Sequence, residues 1–384
     1  MRILHVCPLP LFSGLEQYAL LTALRQHALG HDITFVVDET GALKGECAKV
    51  GVRTRSVKTD GAVPLVSMAS QYADLLLSEP AFDVIHLHSA QDIDRLGLAF
   101  TLIAAQRLVR RSDFKRPKVI QQNHIWMSHS KKDPLHWLTY KTVDEVWCSS
   151  EPARQSLLKF LPIPESKIKI INYGRDLKLK EQFLSRADAR SKLGLRDDEL
   201  VMGAIARVDP AKGAFELVNA ALQVLREGLD FTLVMIGGPT ENLPAAVELD
   251  RSLREQLARE PEAIRSRIKM VGGIPNAGTL MKAFDVYVQA SYKETFSLAL
   301  LDAQLAGLAV LGTSSGGTPE VVVEGKTGWL AEPESTGSMV ETLKRALNDR
   351  AQWSSFGETA KARVEKDFSL DVVTQDILSR YARP

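Results

Sequence analysis

Short apolar runs alternate with amphipathic stretches along the whole chain, which is the pattern of strands separated by helices. Near the start, Arg2 to Cys7 predicts a buried strand, and the periodic stretch from Leu15 to Leu29 predicts a helix that Gly30 ends. Further strands are predicted at residues 33–37, 84–88, 119–122, 145–149 and 167–172. Strands that alternate with helices indicate a parallel sheet, in which ligands bind at the carboxyl ends of the strands.

The alternation starts again after a polar, charge-rich stretch at residues 173–199. A second set of strands is predicted at residues 200–206, 231–236, 268–271, 285–289 and 309–312. A chain of 384 residues exceeds what one hydrophobic core usually serves. We therefore predict an α/β protein of two Rossmann-like domains, at residues 1–175 and 188–367. The amphipathic segment at about 368–384 predicts a last helix that crosses back to the first domain.

The distribution of charge is uneven along the chain. Residues 1–175 hold 22 Lys and Arg against 17 Asp and Glu, and the remainder holds 26 against 30. Much of the first excess lies in one basic stretch, formed by Arg107, Arg110, Arg111, Lys115, Arg116 and Lys118, with Lys131 and Lys132 a little further on. This stretch is either a solvated helix end and loop or a surface for anionic lipid or an anionic acceptor. Because no aromatic residues are interleaved with it, nucleic acid is not a predicted partner.

The cysteines and the apolar runs bear on the cellular location. Cys7, Cys47 and Cys148 are too few and too widely spaced for a disulfide framework or a four-ligand zinc site, which fits a reducing compartment. The opening residues 1–12 are interrupted by polar residues and prolines, unlike a signal peptide. No apolar run reaches the roughly 18 residues that a membrane span needs. We expect a cytoplasmic protein that, at most, lies peripherally on the inner membrane face.

Two loops at predicted strand ends are candidates for holding phosphate. Gly14 opens the first helix, where unpaired N–H groups and the helix dipole favour an anion, although a simple glycine turn is the alternative. In the second domain, Arg207 and Lys212 lie on either side of Pro210 and could converge on one diphosphate, or could be ordinary surface cations of a turn. The G-x-G-x-x-G pattern of a nicotinamide site is absent from the first loop.

The segment 293–303 carries two acids at the start of a predicted helix. Glu294 precedes the helix, and Asp302 lies about two turns along it, so both could line one ligand or could simply be surface and capping acids. The turn that follows, at residues 316–320, begins with two glycines. Nearby Gly325-Lys326-Thr327 resembles the end of a P-loop, but Glu320 stands where the earlier glycine is required, which argues against an ATP site.

All eight histidines lie within the first 136 residues. His86 and His88 share a strand, and His124, His129 and His136 follow, but no carboxylate or thiol stands at a familiar metal-site spacing. We therefore predict no metal site. His124 comes just after a predicted strand and is either a substrate contact or a buried histidine.

In their order and spacing, these segments resemble family 4 of the retaining glycosyltransferases. That family has the GT-B architecture, with two Rossmann-like domains facing across a cleft. The resemblance covers nearly the whole chain and is carried by the first glycine loop, DVIHLHS at 83–89, NYGRD at 172–176, RVDPAKG at 207–213, KETFSLALLDA at 293–303 and GGTPEVV at 316–322.

The resemblance implies a metal-independent, retaining transferase that moves a sugar from a UDP- or GDP-linked donor to a glycan or lipid-linked acceptor in polysaccharide synthesis. It implies no further cofactor. The first domain would bind the acceptor and the second the donor. The diphosphate would be held by Gly14, Arg207 and Lys212 and by the N–H groups around Phe296, Ser297 and Leu298. A nucleotide-sugar epimerase of the same fold, or a non-catalytic nucleotide- or glycan-binding protein, is the alternative.

The resemblance also gives roles to the remaining site residues. Glu294 would bind hydroxyls of the donor sugar, and His124 would contact the sugar and support an oxocarbenium-like transition state. Arg207 and Lys212 would take the place of a metal cation. Asp302 would hold the ribose, although the family has glutamate at this position, and Ser13 stands where a second glycine is common.

Overall fold

The computed structural model describes residues 1–10, 14–59, 63–110 and 114–383, with the backbone alone for 107–110. These residues form two compact units. The first unit comprises Met1–Asn172 and Val373–Pro384, and the second comprises Tyr173–Val372. Each unit is built on one parallel sheet.

Within the described ranges, the sheet of the first unit has seven strands: β1 (Arg2–Cys7), β2 (Asp32–Asp38), β3 (Arg53–Val57), β4 (Val84–Leu87), β5 (Lys118–Gln122), β6 (Glu145–Cys148) and β7 (Ile168–Ile170). They are parallel and lie in the order β3-β2-β1-β4-β5-β6-β7. The helices between them are α1 (Gly14–Ala28), α2 (Ala42–Lys49), α3 (Leu65–Ser78), α4 (Gln91–Arg110), α5 (Pro134–Tyr140) and α6 (Glu151–Phe160). The strand order reverses at β1, and the carboxyl ends of β1 and β4 border the position where such sheets bind ligands.

The sheet of the second unit has six parallel strands among the described residues: β8 (Val201–Ile205), β9 (Thr232–Ile236), β10 (Ile268–Gly272), β11 (Val286–Val288), β12 (Ala309–Thr313) and β13 (Gly328–Ala331). Their order is β10-β9-β8-β11-β12-β13. The helices of this unit are α7 (Arg186–Lys192), α8 (Ala214–Arg226), α9 (Pro244–Ala258), α10 (Glu262–Arg265), α11 (Leu298–Leu305), α12 (Thr318–Val321), α13 (Thr336–Asn348) and α14 (Trp353–Asp367). The last helix of the chain is α15 (Leu370–Tyr381).

Helices cover both faces of the first sheet. Along β1, Leu4 and Val6 pack into one cluster of buried side chains, while Ile3 and Cys7 pack into another. Because successive side chains of a strand point to opposite faces, the two clusters lie on the two sides of the sheet. This arrangement, repeated as a second parallel sheet with its own helices, confirms the predicted α/β fold class.

Two edge strands were not expected from the sequence. In β3, only Val57 is buried, so the strand lacks the apolar run that marked the others. β13 is short and begins at Gly328, where a Cβ atom would lie 1.7 Å from the carbonyl oxygen of Val310. An edge strand pairs on one side only and needs little apolar sequence, which is why periodicity did not indicate β3. β13 is mostly buried but has only four residues, too few for a periodic signal.

The last helix packs on the first unit, as predicted. The ring of Tyr381 in α15 stacks on Trp147 with centroids 5.6 Å apart, and its hydroxyl bonds Nδ1 of His86 at 2.5 Å. The ammonium of Lys118 donates to the carbonyl of Arg380 at 2.8 Å, in the last turn of the helix. In the part of the chain that the structure describes, no helix combines the length and apolar character needed to cross a membrane.

Candidate functional site

The first unit contains a cavity of about 390 Å³ at the carboxyl ends of its central strands. Its wall combines side chains next to β4 and β5 with the loop that follows β5. The lining residues include Leu9, Leu15, His88, Gln91, Gln121, Asn123, His124, Ile125, Trp126, Met127 and Lys131. Apolar walls with a few convergent polar groups are typical of small-molecule sites. His124, for which the resemblance implies a substrate contact, borders this cavity because it follows closely after β5.

Four histidines form a row that ends at this cavity. Nδ1 of His5, in β1, lies 2.9 Å from Nε2 of His88, next to the end of β4. Nδ1 of His88 lies 3.3 Å from Nε2 of His124. His86 stacks on His88 with ring centroids 4.5 Å apart. The sequence placed His86 and His88 on one strand, but His5 joins them only because β1 and β4 are paired in the sheet.

The hydrogen bonds of this row define which nitrogens carry protons. The amide oxygen of Gln26 can only accept, so Nε2 of His5 is the donor in their 2.8 Å bond. Nδ1 of neutral His5 is then an acceptor, and Nε2–H of His88 donates a hydrogen bond to it. By the same step, His88 Nδ1 accepts from Nε2 of His124. The row therefore assigns the proton of His124 to Nε2 and leaves its Nδ1 as the acceptor nitrogen.

Burial keeps the row uncharged at neutral pH. It lowers the pKa of His5 to about 4, with the Gln26 hydrogen bond opposing the shift, and lowers the pKa of His124 to about 3. Burial also lowers the pKa of His86 and His88 well below the ordinary value, and the neighbouring histidines add to the shift. A neutral His124 donates through Nε2 and accepts through Nδ1, but it does not supply a positive charge to a substrate.

Three of these histidines, His5, His86 and His88, lie close enough for one ion to be considered, with ligand nitrogens within 4.8 Å of one another. Their rings are nearly parallel, at interplanar angles of 15° to 32°, so their in-plane lone pairs do not point to a common centre. The 2.9 Å between His5 and His88 is a hydrogen-bond distance, shorter than the about 3.3 Å between two nitrogen ligands of tetrahedral zinc. The geometry favours a hydrogen-bonded row.

The lowered histidine pKa values predict a loss of stability in mild acid. Between pH 6.5 and pH 5 the unfolded chain binds protons at these positions while the folded chain does not, so stability falls as the pH falls through this window. The free energy of unfolding should fall by at least about 1.4 kcal/mol per pH unit, which is the contribution of one such histidine. Chemical denaturation at a series of pH values measures it, with His27→Gln, at an exposed position, as a control that keeps the slope. A flat profile between pH 6.5 and pH 5 would contradict the assignment.

In the second unit, the loop after β8 carries the two predicted phosphate-binding cations. The carboxylate of Asp209 accepts from the amide of Ala211 at 3.0 Å and begins the turn around Pro210. Gly213 ends the turn at φ 68°, and a Cβ atom there would lie 2.0 Å from the carbonyl oxygen of Ala290. Only glycine fits this close approach, which fixes Lys212 beside the loop that follows β11.

Lys212 and Glu294 lie together. The Lys212 ammonium donates to Oε1 of Glu294 at 2.5 Å, and both side chains are about a quarter or less exposed, at 27% and 19%. Arg207 is 61% exposed and donates from Nη1 to the hydroxyl of Thr240 at 2.8 Å. Arg207 and Lys212 border the same small cavity at the carboxyl ends of β8, β9 and β11. The structure thus brings the two cations and the acid to one edge of the sheet.

The two glycines of the turn after β12 hold the backbone of Glu294. The amide of Gly317 donates to the carbonyl of Glu294 at 2.8 Å. Gly316 adopts φ 58°, and a Cβ atom there would lie 2.0 Å from that same carbonyl oxygen. The glycine pair therefore positions Glu294, a role that the sequence did not indicate.

The residues around the start of α11 differ in what they offer a ligand. Ser297 caps the helix: its hydroxyl accepts from the amide of Leu300 at 3.3 Å and bonds the Gln289 side chain at 2.5 Å. Phe296 is buried between the rings of Tyr173 and Phe368. The side chains of Ser297 and Phe296 thus already have partners within the protein. Since the amide of Leu300 is used by this cap, the backbone N–H groups around Ser297 and Leu298 remain the predicted donors to a phosphate.

Asp302 is largely buried and forms an ion pair with Arg175. Two of the three guanidinium nitrogens donate to the carboxylate, Nε to Oδ1 and Nη2 to Oδ2, the second at 2.7 Å. Burial raises the pKa of Asp302, and the Arg175 charge opposes that shift. The sequence predicted a ribose contact for Asp302 and gave no role to Arg175. A buried carboxylate on an apolar helix face needs a cationic partner. Asp302 in its apolar helix was therefore the sequence signal that a partner such as Arg175 exists.

Gly14 and the predicted basic stretch are only partly described. Gly14 is the exposed first residue of α1, and a Cβ atom added there would meet no neighbouring atom within 4 Å. Its neighbour Ser13 lies outside the described residues, as does Arg111, and the side chains of Arg107 and Arg110 are not described. The roles of Gly14 and of this stretch stay predictions.

Two family models match the chain, one in each half. The model described as Glycosyltransferase Family 4 matches residues 12–179, and the model described as Glycosyl transferases group 1 matches residues 185–363. Together they span both units and nearly the whole length of the chain.

Individual proteins are also similar to this chain. The D-inositol 3-phosphate glycosyltransferase of Streptomyces avermitilis is 28% identical over 226 residues, which are 58% of this chain and 48% of that protein. The chain thus spans about half the length of this relative. The UDP-Gal:alpha-D-GlcNAc-diphosphoundecaprenol alpha-1,3-galactosyltransferase of Escherichia coli is 24% identical over 365 residues, 91% of this chain and 88% of that protein.

Among solved structures, Anabaena HepE in complex with UDP and glucose has a TM-score of 0.78 at 19% identity, with 100% of each chain covered. At this level of identity the likeness concerns the fold. It extends over both units of this chain.

Proposed function

Since the chain belongs to the family 4, group 1 glycosyltransferases, we propose that it transfers a sugar from a nucleotide-diphosphate donor to a glycan or lipid-linked acceptor, with retention of configuration and without a metal ion. The observation that carries the proposal is the pairing of Lys212 with Glu294 beside Arg207, at the carboxyl end of the second sheet. An ammonium, a guanidinium and a carboxylate at one sheet edge match the diphosphate and the sugar hydroxyls of such a donor.

The donor half of the reaction is assigned to the second unit. Arg207 and Lys212 neutralise the diphosphate, and the N–H groups at the start of α11 donate to its oxygens. Glu294 accepts hydrogen bonds from hydroxyls of the sugar. As the bond between the anomeric carbon and the phosphate oxygen breaks, negative charge grows on the departing nucleotide. The Lys212 ammonium, already held in place by Glu294, stabilises that charge in the transition state.

The acceptor half is assigned to the cavity of the first unit. Its mixed wall of apolar side chains, amides and imidazoles suits a sugar that carries an apolar or lipid-linked group. The E. coli relative acts on a diphosphoundecaprenol-linked sugar, which agrees with this class of acceptor. The acceptor hydroxyl oxygen forms the new bond to the anomeric carbon, and its proton passes to an oxygen of the departing phosphate, so no separate base is needed.

A nucleotide donor fits both the site and the relatives. HepE was solved with UDP and glucose, and the E. coli relative uses UDP-galactose. We propose a UDP-linked sugar as the first donor to test, with a GDP-linked sugar as the second. His124 remains the proposed sugar contact, as a neutral hydrogen-bonding group whose tautomer the histidine row defines.

Turnover in excess chelator tests the reaction and its metal independence. The purified protein is incubated with UDP- and GDP-sugars, with and without a panel of glycan and lipid-linked acceptors, and released nucleotide and the anomeric configuration of the product are measured. We expect acceptor-dependent nucleotide release that chelator leaves unchanged, and a product with the configuration of the donor. Activity that chelator removes and Mg²⁺ or Mn²⁺ restores would contradict metal independence. Nucleotide released or sugar epimerised equally without acceptor would favour the epimerase, and donor binding without turnover would favour a binding protein.

A further inference from the structure

Helix α5 turns its apolar side chains away from the protein. Leu135, Trp137 and Leu138 are 67%, 54% and 61% exposed, whereas Tyr140 is buried and His136 is half-buried. With 100° between successive residues, the three apolar side chains occupy an arc of about 160° on the outer side of the helix. A surface helix normally buries its apolar face, so this reversed arrangement needs a partner.

The helix is firmly built, so the outward face is not the result of a frayed loop. Asp133 caps it, with its carboxylate accepting from the amides of Leu135 and His136, both at 3.1 Å. Pro134 stands at the first helical position, where its fixed φ favours helix formation. The preceding segment is tied to the body of the unit because the amide of Lys131 donates to the carbonyl of Phe160 at 2.8 Å.

Lysines flank the apolar face on both sides. Lys131 and Lys132 precede the helix and Lys141 follows it, so residues 125–141 hold three lysines against a single acid, Asp133. The Lys141 ammonium lies over the ring of Trp137, 3.5 Å from its centroid. Lys132 bonds a carbonyl, that of Leu158 at 3.1 Å. The outer face therefore combines a tryptophan, two leucines and a net positive charge.

From the sequence, the basic stretch is either a solvated helix end and loop or a surface for anionic lipid or an anionic acceptor, and two of its described cations, Arg116 and Lys118, are paired within the protein. The guanidinium of Arg116 donates to both carboxylate oxygens of Asp144, at 3.2 and 2.9 Å. The ammonium of Lys118 pairs with Glu145 at 3.0 Å and caps α15. These two cations already have partners within the protein, and no large apolar side chain of that stretch is among the exposed ones of the described residues.

We propose that the outer face of α5 docks on an anionic lipid bilayer, with Leu135, Trp137 and Leu138 inserted at the boundary between headgroups and acyl chains and the lysines at the lipid phosphates. Tryptophan and lysine are the residues favoured at that boundary, because each combines an apolar body with a polar end. Anionic lipid supplies the charge that complements the lysines.

A second copy of the chain fits this face less well. A stable protein interface buries about 800 Å² on each partner, more than one short helix presents. A symmetric dimer would also bring the same lysines of both copies together, and like charges at an interface are unfavourable. A bilayer has neither restriction.

The surface lies next to the cavity of the first unit along the chain. The loop at residues 125–131 lines the cavity, and α5 begins three residues later. Docking of α5 would place this cavity close to the lipid headgroups, where the polar end of a lipid-linked acceptor lies. The identification of the cavity as the acceptor site rests on the proposed function. The docking itself does not depend on the transfer reaction.

Vesicle co-sedimentation without donor or acceptor tests the proposal. We expect the full-length protein to bind vesicles of phosphatidylcholine with phosphatidylglycerol and to bind phosphatidylcholine alone much more weakly. Combined Leu135→Ser, Trp137→Ser and Leu138→Ser should reduce the partition coefficient roughly tenfold or more, and Lys132→Gln with Lys141→Gln should reduce the preference for anionic lipid. The matched control is Leu65→Ser with Val66→Ser, at two exposed positions of α3, which should bind as the unchanged protein does.

Three outcomes would overturn the proposal. One is equal vesicle binding by the unchanged protein and the triple α5 variant. Another is equal loss of binding in the α3 control. The third is a dimer, seen by light scattering, that the triple variant dissociates, because the face would then be a protein interface. Thermal unfolding checks that the variants fold. Turnover on a water-soluble acceptor should be kept by the triple variant, so failure of docking and failure of the proposed transfer are told apart.

Discussion

Replacing Lys212 by alanine is expected to lower kcat/KM about 10³-fold, roughly 4 kcal/mol of transition-state stabilisation. The ammonium lies 2.5 Å from Oε1 of Glu294, and in the proposed reaction a departing nucleotide diphosphate develops negative charge at this edge of the sheet. Because that charge is present in the transition state and absent from the bound donor, most of the loss should appear in kcat rather than in KM. Steady-state kinetics with saturating acceptor measures both.

Glu294→Gln and the double variant complete this test. The glutamine keeps the shape of the side chain but loses the charge that orients Lys212, so we expect a substantial loss in the single variant. The losses of Lys212→Ala and Glu294→Gln should combine less than additively, since the two groups act as a pair. Lys344→Ala is the matched control: Lys344 pairs with Glu227 at 2.6 Å, is 26% exposed and lies in the same unit. Full activity in both Lys212→Ala and Glu294→Gln would contradict the site assignment.

Replacing Arg175 by alanine is expected to destabilise the second unit by about 3 kcal/mol at neutral pH. The substitution leaves the buried Asp302 carboxylate without the guanidinium that bonds both of its oxygens. The pKa of Asp302 is already raised by burial, and loss of Arg175 removes the charge that opposes the shift. Because the folded-state pKa of Asp302 is raised, the loss of stability in Arg175→Ala is present above that pKa and becomes smaller as acid protonates the carboxyl group.

Denaturation of Arg175→Ala at pH 7.5 and pH 5 measures this effect, with Arg175→Ala combined with Asp302→Asn as the second variant. The combined variant should recover much of the stability at pH 7.5, because no buried charge is left unpaired. If Asp302 also holds the ribose, Asp302→Asn should raise KM for the donor while kcat changes little. Unchanged stability of Arg175→Ala at pH 7.5 would contradict the ion-pair account.

The sequence predicted the two-unit α/β architecture because the apolar runs of buried parallel strands are self-contained local signals. Sheet geometry also indicated that Arg207 and Lys212 could converge at the carboxyl end of one strand. The resemblance to a family, rather than sheet geometry, implied that Glu294 belongs to the same site, and the structure pairs Glu294 with Lys212.

Contacts between distant parts of the chain were not predictable in this way. Arg175 and Asp302 are 127 positions apart, and His5 is 83 positions from His88. Neither pair has a local pattern, because each depends on which strands and loops the fold places next to each other. The outward face of α5 was missed for a related reason: periodicity shows that a helix has an apolar side, but not which side faces the protein.

The account depends most on Arg207, Lys212 and Glu294 holding a nucleotide sugar. Thermal unfolding of the unchanged protein and of Lys212→Ala, in chelator and with each of several UDP- and GDP-linked sugars, tests this most directly. A true donor at 100 times its dissociation constant should stabilise the unchanged protein by about 2.7 kcal/mol and stabilise Lys212→Ala far less. The same stabilisation of both proteins, or of neither by any nucleotide sugar, would contradict it.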